Sequence, residues 1–201
     1  MRMLALGDSY TIGTGSSPAD RWAVQIGVLL NTHGFKLEPP DIIAANGWTT
    51  VDLQRAIAAA TLTPSYDLVT LLIGVNDQYD GLGPERYQDG FTSLLQIAIG
   101  LTSGQAEHVI VLSIPDYSVT PFAQSMDTEA IRSEIAAFNV INHQLSIEAA
   151  AQYVDLGVSS QHAIQDPALL ADDGLHPSGK MYALWAHIIL PFAEEILSHK
   201  T

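Results

Sequence analysis

An α/β fold, in which a five-stranded parallel sheet lies between two layers of helices, is predicted by three features of this sequence. Short apolar runs alternate with segments of helical periodicity along nearly the whole chain, and the runs stop abruptly at glycine or polar turns. The chain has 201 residues, 47% of them hydrophobic, which suits one well-filled core. Parallel strands need a crossover, and the helix that makes it covers the sheet, so five such units predict a three-layer α/β/α sandwich. No linker, repeat or low-complexity segment interrupts the pattern, so one domain spanning residues 1–201 is expected.

The elements follow in order. Met3-Leu4-Ala5-Leu6 reads as a buried strand cut off by Gly7, which leaves Asp8 and Ser9 at its carboxyl end. Ser17-Pro18 opens a helical stretch that runs to Gly34, with Trp22, Ile26, Leu29 and Leu30 on one face. Residues 41–45 are a second strand, and a helix led by Thr49 carries Val51, Leu53 and Ile57 to Ala60. Residues 67–73 form a third strand, followed by a helix after Pro84, and residues 108–113 form a fourth. A long helix from Asp127 to about Ala150 repeats Ile131, Ile135, Phe138, Ile141 and Leu145 at helical spacing, and Tyr153-Val154-Asp155-Leu156 is the fifth strand. The last helix starts at Ser178, and Pro191 is expected to bend it or end its first part.

Composition excludes several function classes. With 22 acidic against 8 basic residues the formal net charge is -14, and no basic cluster offsets it locally. Nucleic acid and anionic membranes are therefore not expected as partners. There is no cysteine, so disulfides, thiol nucleophiles and thiolate metal sites all drop out. The opening Met-Arg-Met-Leu-Ala-Leu reaches Gly7 and Asp8 too soon for a signal peptide, so a cytoplasmic protein is expected, or a secreted one if a leader has been removed. No apolar run approaches the roughly 18 residues of a membrane span.

In open parallel sheets, ligands bind beyond the carboxyl ends of the strands. Here those ends carry Gly7-Asp8-Ser9-Tyr10, Asn46-Gly47-Trp48 and Gly74-Val75-Asn76-Asp77, and Asp172-Asp173-Gly174-Leu175-His176-Pro177 precedes the last helix. A serine hydroxyl needs a base within reach, and the base needs a carboxylate to hold its tautomer. Ser9, His176 and Asp173 can supply that set, with Asp172 as the competing carboxylate and spacing favouring Asp173. A developing oxyanion needs preorganised donors: Gly47, whose small size lets its N–H come close, the Asn76 amide, and the N–H of Ser9. Tyr10, Trp48 and Tyr79, with Tyr117 and Phe122, fall on the same edge and are candidates for substrate contact, although some could simply pack. His33, His108, His143, His162, His187 and His199 have no partner pattern and read as surface or packing residues. No cluster has metal-ligand spacing, and Asp77 and Asp80 read as loop-shaping residues. Gly13-Thr14-Gly15 lacks the lysine and spacing of a phosphate loop. No metal and no cofactor is expected.

These blocks, in this order, resemble the SGNH or GDSL hydrolases. Gly7-Asp8-Ser9-Tyr10, Gly47, Gly74-Val75-Asn76-Asp77 and Asp173-Gly174-Leu175-His176-Pro177 match the family's four signature blocks across nearly the whole chain. The resemblance implies a flavodoxin-like sandwich, Ser9 as nucleophile, His176 as base, Asp173 as its orienter, and Ser9, Gly47 and Asn76 as an oxyanion hole, with no metal or organic cofactor. Tyr10 departs from the family, which often has leucine there. The expected activity is hydrolysis of small soluble or carbohydrate-linked acyl esters through an acyl-Ser9 intermediate. A noncatalytic glycan- or ester-binding module on the same fold is the main alternative, and a flavodoxin-like flavin binder is a third reading. Oligomeric state is not readable from the sequence.

Overall fold

Strand β1 (Met3–Gly7) is buried along its full length, as a strand must be when helices cover both faces of its sheet. Strands β2 (Asp41–Ala44), β3 (Leu68–Leu72), β4 (Val109–Leu112) and β5 (Gln152–Val154) join it in the computed structural model, which describes residues 1–62 and 65–199. All pairings are parallel, and the strand order is β2-β1-β3-β4-β5. Gly7 pairs with Ala44 on one side and Leu72 on the other. That register brings the three strand ends to one level, so the residues that follow them emerge on the same edge.

The order reverses direction at β1, and right-handed crossovers then put helices on both faces. Helix α1 (Ser9–Ile12) follows β1 directly, and α2 (Trp22–Thr32) returns the chain to β2. Helix α3 (Thr50–Ala59) leads to β3, after which come α4 (Val75–Tyr79) and α5 (Pro84–Leu101). Helix α6 (Thr128–Glu148) joins β4 to β5, and α7 (Gly157–His162) and α8 (Gly179–Ser198) complete the chain. One layer is the pair α2 and α8; in the other, α5 touches both α3 and α6. Trp22, Trp185, Tyr66, Tyr87, Tyr182 and Phe91 are among the largest fully buried side chains. None of the helices among the described residues is long and apolar enough to cross a membrane.

Elements differ from expectation at several points: the fifth strand is Gln152–Val154 and stops before Asp155 and Leu156, and the short helices α1, α4 and α7 add to those expected. Ser17-Pro18 does not open α2. Pro18–Asp20 forms a short 3-10 turn, Arg21 is extended at φ -57° and ψ 135°, and α2 starts at Trp22. The Ser17 hydroxyl bonds the Asp20 carboxylate at 2.7 Å instead of capping a helix. Pro191, expected to bend the last helix or end its first part, lies inside α8, which continues to Ser198. A proline inside a helix costs about 3 kcal/mol, but Ile196 and Leu197, both buried beyond it, each contribute about 1.5–3 kcal/mol. Tertiary burial outweighs the local penalty.

Candidate active site

The carboxyl end of β1 turns into α1 without a loop. A Cβ on Gly7 would lie 2.2 Å from Thr11 Oγ1 and 2.5 Å from the Leu72 carbonyl oxygen, so only glycine lets α1 fold back this closely. Asp8 caps α1, its Oδ1 accepting the Tyr10 N–H at 3.0 Å. Ser9 is thus the first residue of the turn, 4% exposed, and its N–H has no intrahelical partner.

Asp8 itself was given no role by the sequence. It is fully enclosed, and its Oδ2 is buried without a hydrogen-bond partner. Burial pushes its pKa up to about 7, against the pull of the Tyr10 N–H and with repulsion from Asp77 added. A carboxyl raised in the fold stabilises it fully below the unfolded pKa and loses that contribution as pH rises through about 7. Asp8→Asn keeps the acceptor for Tyr10 but cannot ionise. Its urea stability relative to wild type is expected to improve by a few kcal/mol between pH 5 and pH 8. Parallel pH profiles for the two proteins would contradict this.

After β2, Gly47 has φ 78°, in the left-handed region, and a Cβ there would meet nothing within 4 Å. The left-handed backbone angle favours glycine at this position. Its N–H makes no backbone hydrogen bond among the described residues, and Gly47 lines the cleft described below. Gly47→Ala is expected to lose about 1–2 kcal/mol of stability through the left-handed strain. Thermal denaturation of the variant beside wild type measures that loss, and equal stability would show that the angle carries no strain.

At the end of β3, Asn76 sits in α4 and its Nδ2 donates to the Trp48 carbonyl oxygen at 2.8 Å. One amide hydrogen is thereby committed and the other is left for a ligand. Trp48 contributes that carbonyl, but its side chain packs partly buried against the core and is not among the residues lining the cleft.

The segment before α8 is held by a hydrogen bond from the Ala171 N–H to the His176 carbonyl oxygen at 2.7 Å and by a bridge between Leu170 and Pro177. Asp173 Oδ1 accepts the N–H groups of Leu175 and His176, both at 2.9 Å, and its Oδ2 meets His176 Nδ1 at 2.7 Å. Burial raises the Asp173 pKa, but the hydrogen bonds from the His176 ring and the two N–H groups outweigh it, so the carboxyl is held below its usual value. An ionised carboxylate only accepts, so the Nδ1 proton belongs to the ring and Nε2 is left as an acceptor. Asp172, the other carboxylate in this stretch, is exposed. Ser9 and His176 face the same cleft, with no hydrogen bond between them among the described residues.

That cleft has a volume of about 230 Å³. Ser9, Asn46, Gly47, Asn76 and His176 form its polar side, and Tyr10, Val75, Tyr79, Tyr117, Phe122 and Leu175 its apolar side. Tyr10 is buried, with its ring edge-on to His176 at 5.8 Å. Tyr79 and Phe122 are 55% and 38% exposed at the mouth, with ring centroids 6.3 Å apart. Tyr117 donates its hydroxyl to Gln78 Oε1 at 2.9 Å, so it presents ring and not hydroxyl to the cleft. Val75 and Leu175 were not singled out from sequence, because an apolar residue beside a signature position looks like any core residue. None of the lining residues is Asp, Glu, Lys or Arg. Among the described residues, no group of three or more His, Asp or Glu side chains is placed to hold a metal ion.

The family model for GDSL-like lipases/acylhydrolases matches residues 5–184. Among solved structures, TesA is similar with a TM-score of 0.77 at 17% identity, over 98% of this chain and 99% of that one. The psychrotrophic esterase EstA from Pseudoalteromonas sp. gives a TM-score of 0.74 at 16% identity, over 98% of both chains. The acetylxylan esterase Axe2 from Geobacillus stearothermophilus gives 0.74 at 20% identity, over 96% of this chain and 93% of that one. At such identities the likeness is one of fold. No curated protein matches the chain in sequence.

Proposed function

This chain belongs to the GDSL-like lipase/acylhydrolase family, and from that premise we propose that it hydrolyses small, uncharged carboxylic esters through an acyl-Ser9 intermediate. The observation that carries the proposal is the Asp173-oriented His176, facing Ser9 across a cleft with no charged lining residue. Ser9 Oγ attacks the ester carbonyl as His176 Nε2 takes its proton. The tetrahedral oxyanion is met by the N–H of Ser9, the N–H of Gly47 and the free hydrogen of Asn76 Nδ2. Collapse expels the alkoxide, which takes the proton back from His176, and a water activated by the same imidazole then releases the acid. Hydrogen bonds between nucleophile and base are often long in empty sites and tighten on binding, so their absence here is compatible with this role.

Substrate class follows from the lining. Without Lys or Arg in the cleft there is nothing to pair with a carboxylate or phosphate on the substrate, and Tyr79 and Phe122 offer ring faces at the mouth. Flat apolar groups or sugar faces stack on such rings, so short acyl esters of neutral alcohols, carbohydrates included, suit the site. The test is a panel of p-nitrophenyl esters from acetate to long acyl chains, together with the succinate hemiester, plus labelling by a fluorophosphonate mapped by mass spectrometry. Neutral short esters should turn over, the hemiester should be poor, and the label should sit on Ser9. A label elsewhere would overturn the assignment of Ser9, and equal rates on the hemiester would overturn the substrate class.

A further inference from the structure

We propose that Thr50, Asp77 and Gly90 form a positioning chain that holds the donors of Gly47 and Asn76 at a fixed separation; this rests on reading those donors as the oxyanion hole. Gly47 follows β2 and Asn76 follows β3, and these strands are not neighbours, because β1 lies between them. The two ladders to β1 level the ends of β2 and β3 but stop at Ala44 and Leu72, short of Gly47 and Asn76. Beyond the ladders, side chains link the two donors.

Asp77 is placed to do so. It adjoins Asn76 in α4, is completely buried, and uses both carboxylate oxygens on one residue of α3. Oδ2 accepts the Thr50 N–H at 2.9 Å and Oδ1 accepts the Thr50 hydroxyl at 2.6 Å. Thr50 lies three residues after Gly47 and opens α3, so this paired contact ties the β2 edge directly to the β3 edge. The bond from Asn76 Nδ2 to the Trp48 carbonyl crosses the same gap in the opposite direction. Burial pushes the Asp77 carboxyl up, and the two Thr50 donors oppose that. Charge-assisted bonds of this kind are short and directional.

Gly90, in the middle of α5, completes the chain from behind. A Cβ there would stand 2.4 Å from Thr50 Oγ1 and 2.8 Å from Thr50 Cβ. The Gln54 side chain donates to the Gly90 carbonyl oxygen at 3.0 Å, which keeps α3 and α5 at this spacing. A glycine within a helix is unfavourable relative to alanine, so its place here fits the need for Thr50 to sit close to α5. None of these three residues reaches the cleft lining. They act through Gly47 and Asn76.

The test measures kcat and KM for p-nitrophenyl acetate, and thermal stability, in Thr50→Val, Thr50→Ser, Gly90→Ala and Asp77→Asn. Thr50→Val removes the hydroxyl at nearly constant volume and should lower kcat by about 10- to 100-fold, since a misplacement of about 1 Å in a reacting geometry costs as much. KM should stay within about twofold, because the donors act on the transition state and not on the bound ester. Thr50→Ser restores the hydroxyl and should recover most of the rate. Gly90→Ala and Asp77→Asn should lower kcat in the same direction, and they carry the test if Thr50→Val fails to fold. An unchanged kcat, a rise confined to KM, or a loss that serine does not restore would each overturn the proposal while leaving the oxyanion reading in place. Asn76→Ala separates the two: if it keeps the full rate, the oxyanion reading fails and this proposal fails with it.

Discussion

Ser9→Ala is expected to lower kcat for a neutral short-chain ester by roughly 10⁶-fold, the scale seen when a serine nucleophile is removed from a triad. The size of the effect follows from what the hydroxyl does in the proposed mechanism. Without it the acyl-enzyme cannot form, and only the oxyanion donors and the bound geometry remain, which still leave roughly 10³-fold over water. Stability should hardly change. Ser9 Oγ takes part in no hydrogen bond among the described residues, and removing one oxygen from a 4% exposed side chain leaves the Asp8 cap and the N–H of residue 9 in place. The measurement is kcat together with thermal denaturation: a collapse in rate at constant Tm identifies Ser9 as the nucleophile, whereas full activity would remove it from the reaction.

Asp173→Asn is expected to cost about 10⁴-fold in kcat, the scale seen when a triad aspartate becomes an amide and the imidazole takes the wrong tautomer. Asp173 faces three donors, the Leu175 and His176 N–H groups and the His176 ring. An asparagine has one oxygen for them. If that oxygen keeps the two N–H groups, its NH₂ faces Nδ1, so the ring moves its proton to Nε2 and loses the acceptor that Ser9 needs. KM should move little. The stabilisation from Asp173, whose pKa is held down, is present above the ordinary carboxylate range and is lost as pH falls through its lowered value. Because the side chain is 41% exposed, solvent screening keeps that contribution small. The variant should therefore fail in rate and not in Tm. Asp172→Asn, at an exposed carboxylate one residue away, should retain wild-type rates. The reverse ranking of the two variants would transfer the orienting role to Asp172.

Much of this was legible in the sequence because it is local information. Apolar runs ended by Gly7 and by Gly74 mark strands and their carboxyl ends, and residues at those ends are the ones a parallel sheet presents to a ligand. The sequence alone therefore places the signature blocks around Ser9, Gly47, Asn76 and His176 on one edge. Element boundaries were less legible. The arrest at Arg21 depends on where the Ser17 hydroxyl finds its partner, and the passage of α8 through Pro191 depends on the burial of Ile196 and Leu197.

The sequence by itself determined the order of strands and helices, the family and the set of candidate groups, since periodicity and short motifs act over a few residues. Spacing already favoured Asp173 over Asp172 as the partner of His176; tertiary structure alone decided that Trp48 lends a carbonyl while its ring joins the core, and that Gly47 answers a left-handed backbone angle in open space. It also decided that Asp8 is sealed with an unpaired oxygen and that Asp77 grips Thr50. The contacts of Trp48, Asn76, Asp77 and Thr50 depend on which residues distant in sequence are brought within 3–4 Å, and here that is set by a strand order in which β1 separates β2 from β3.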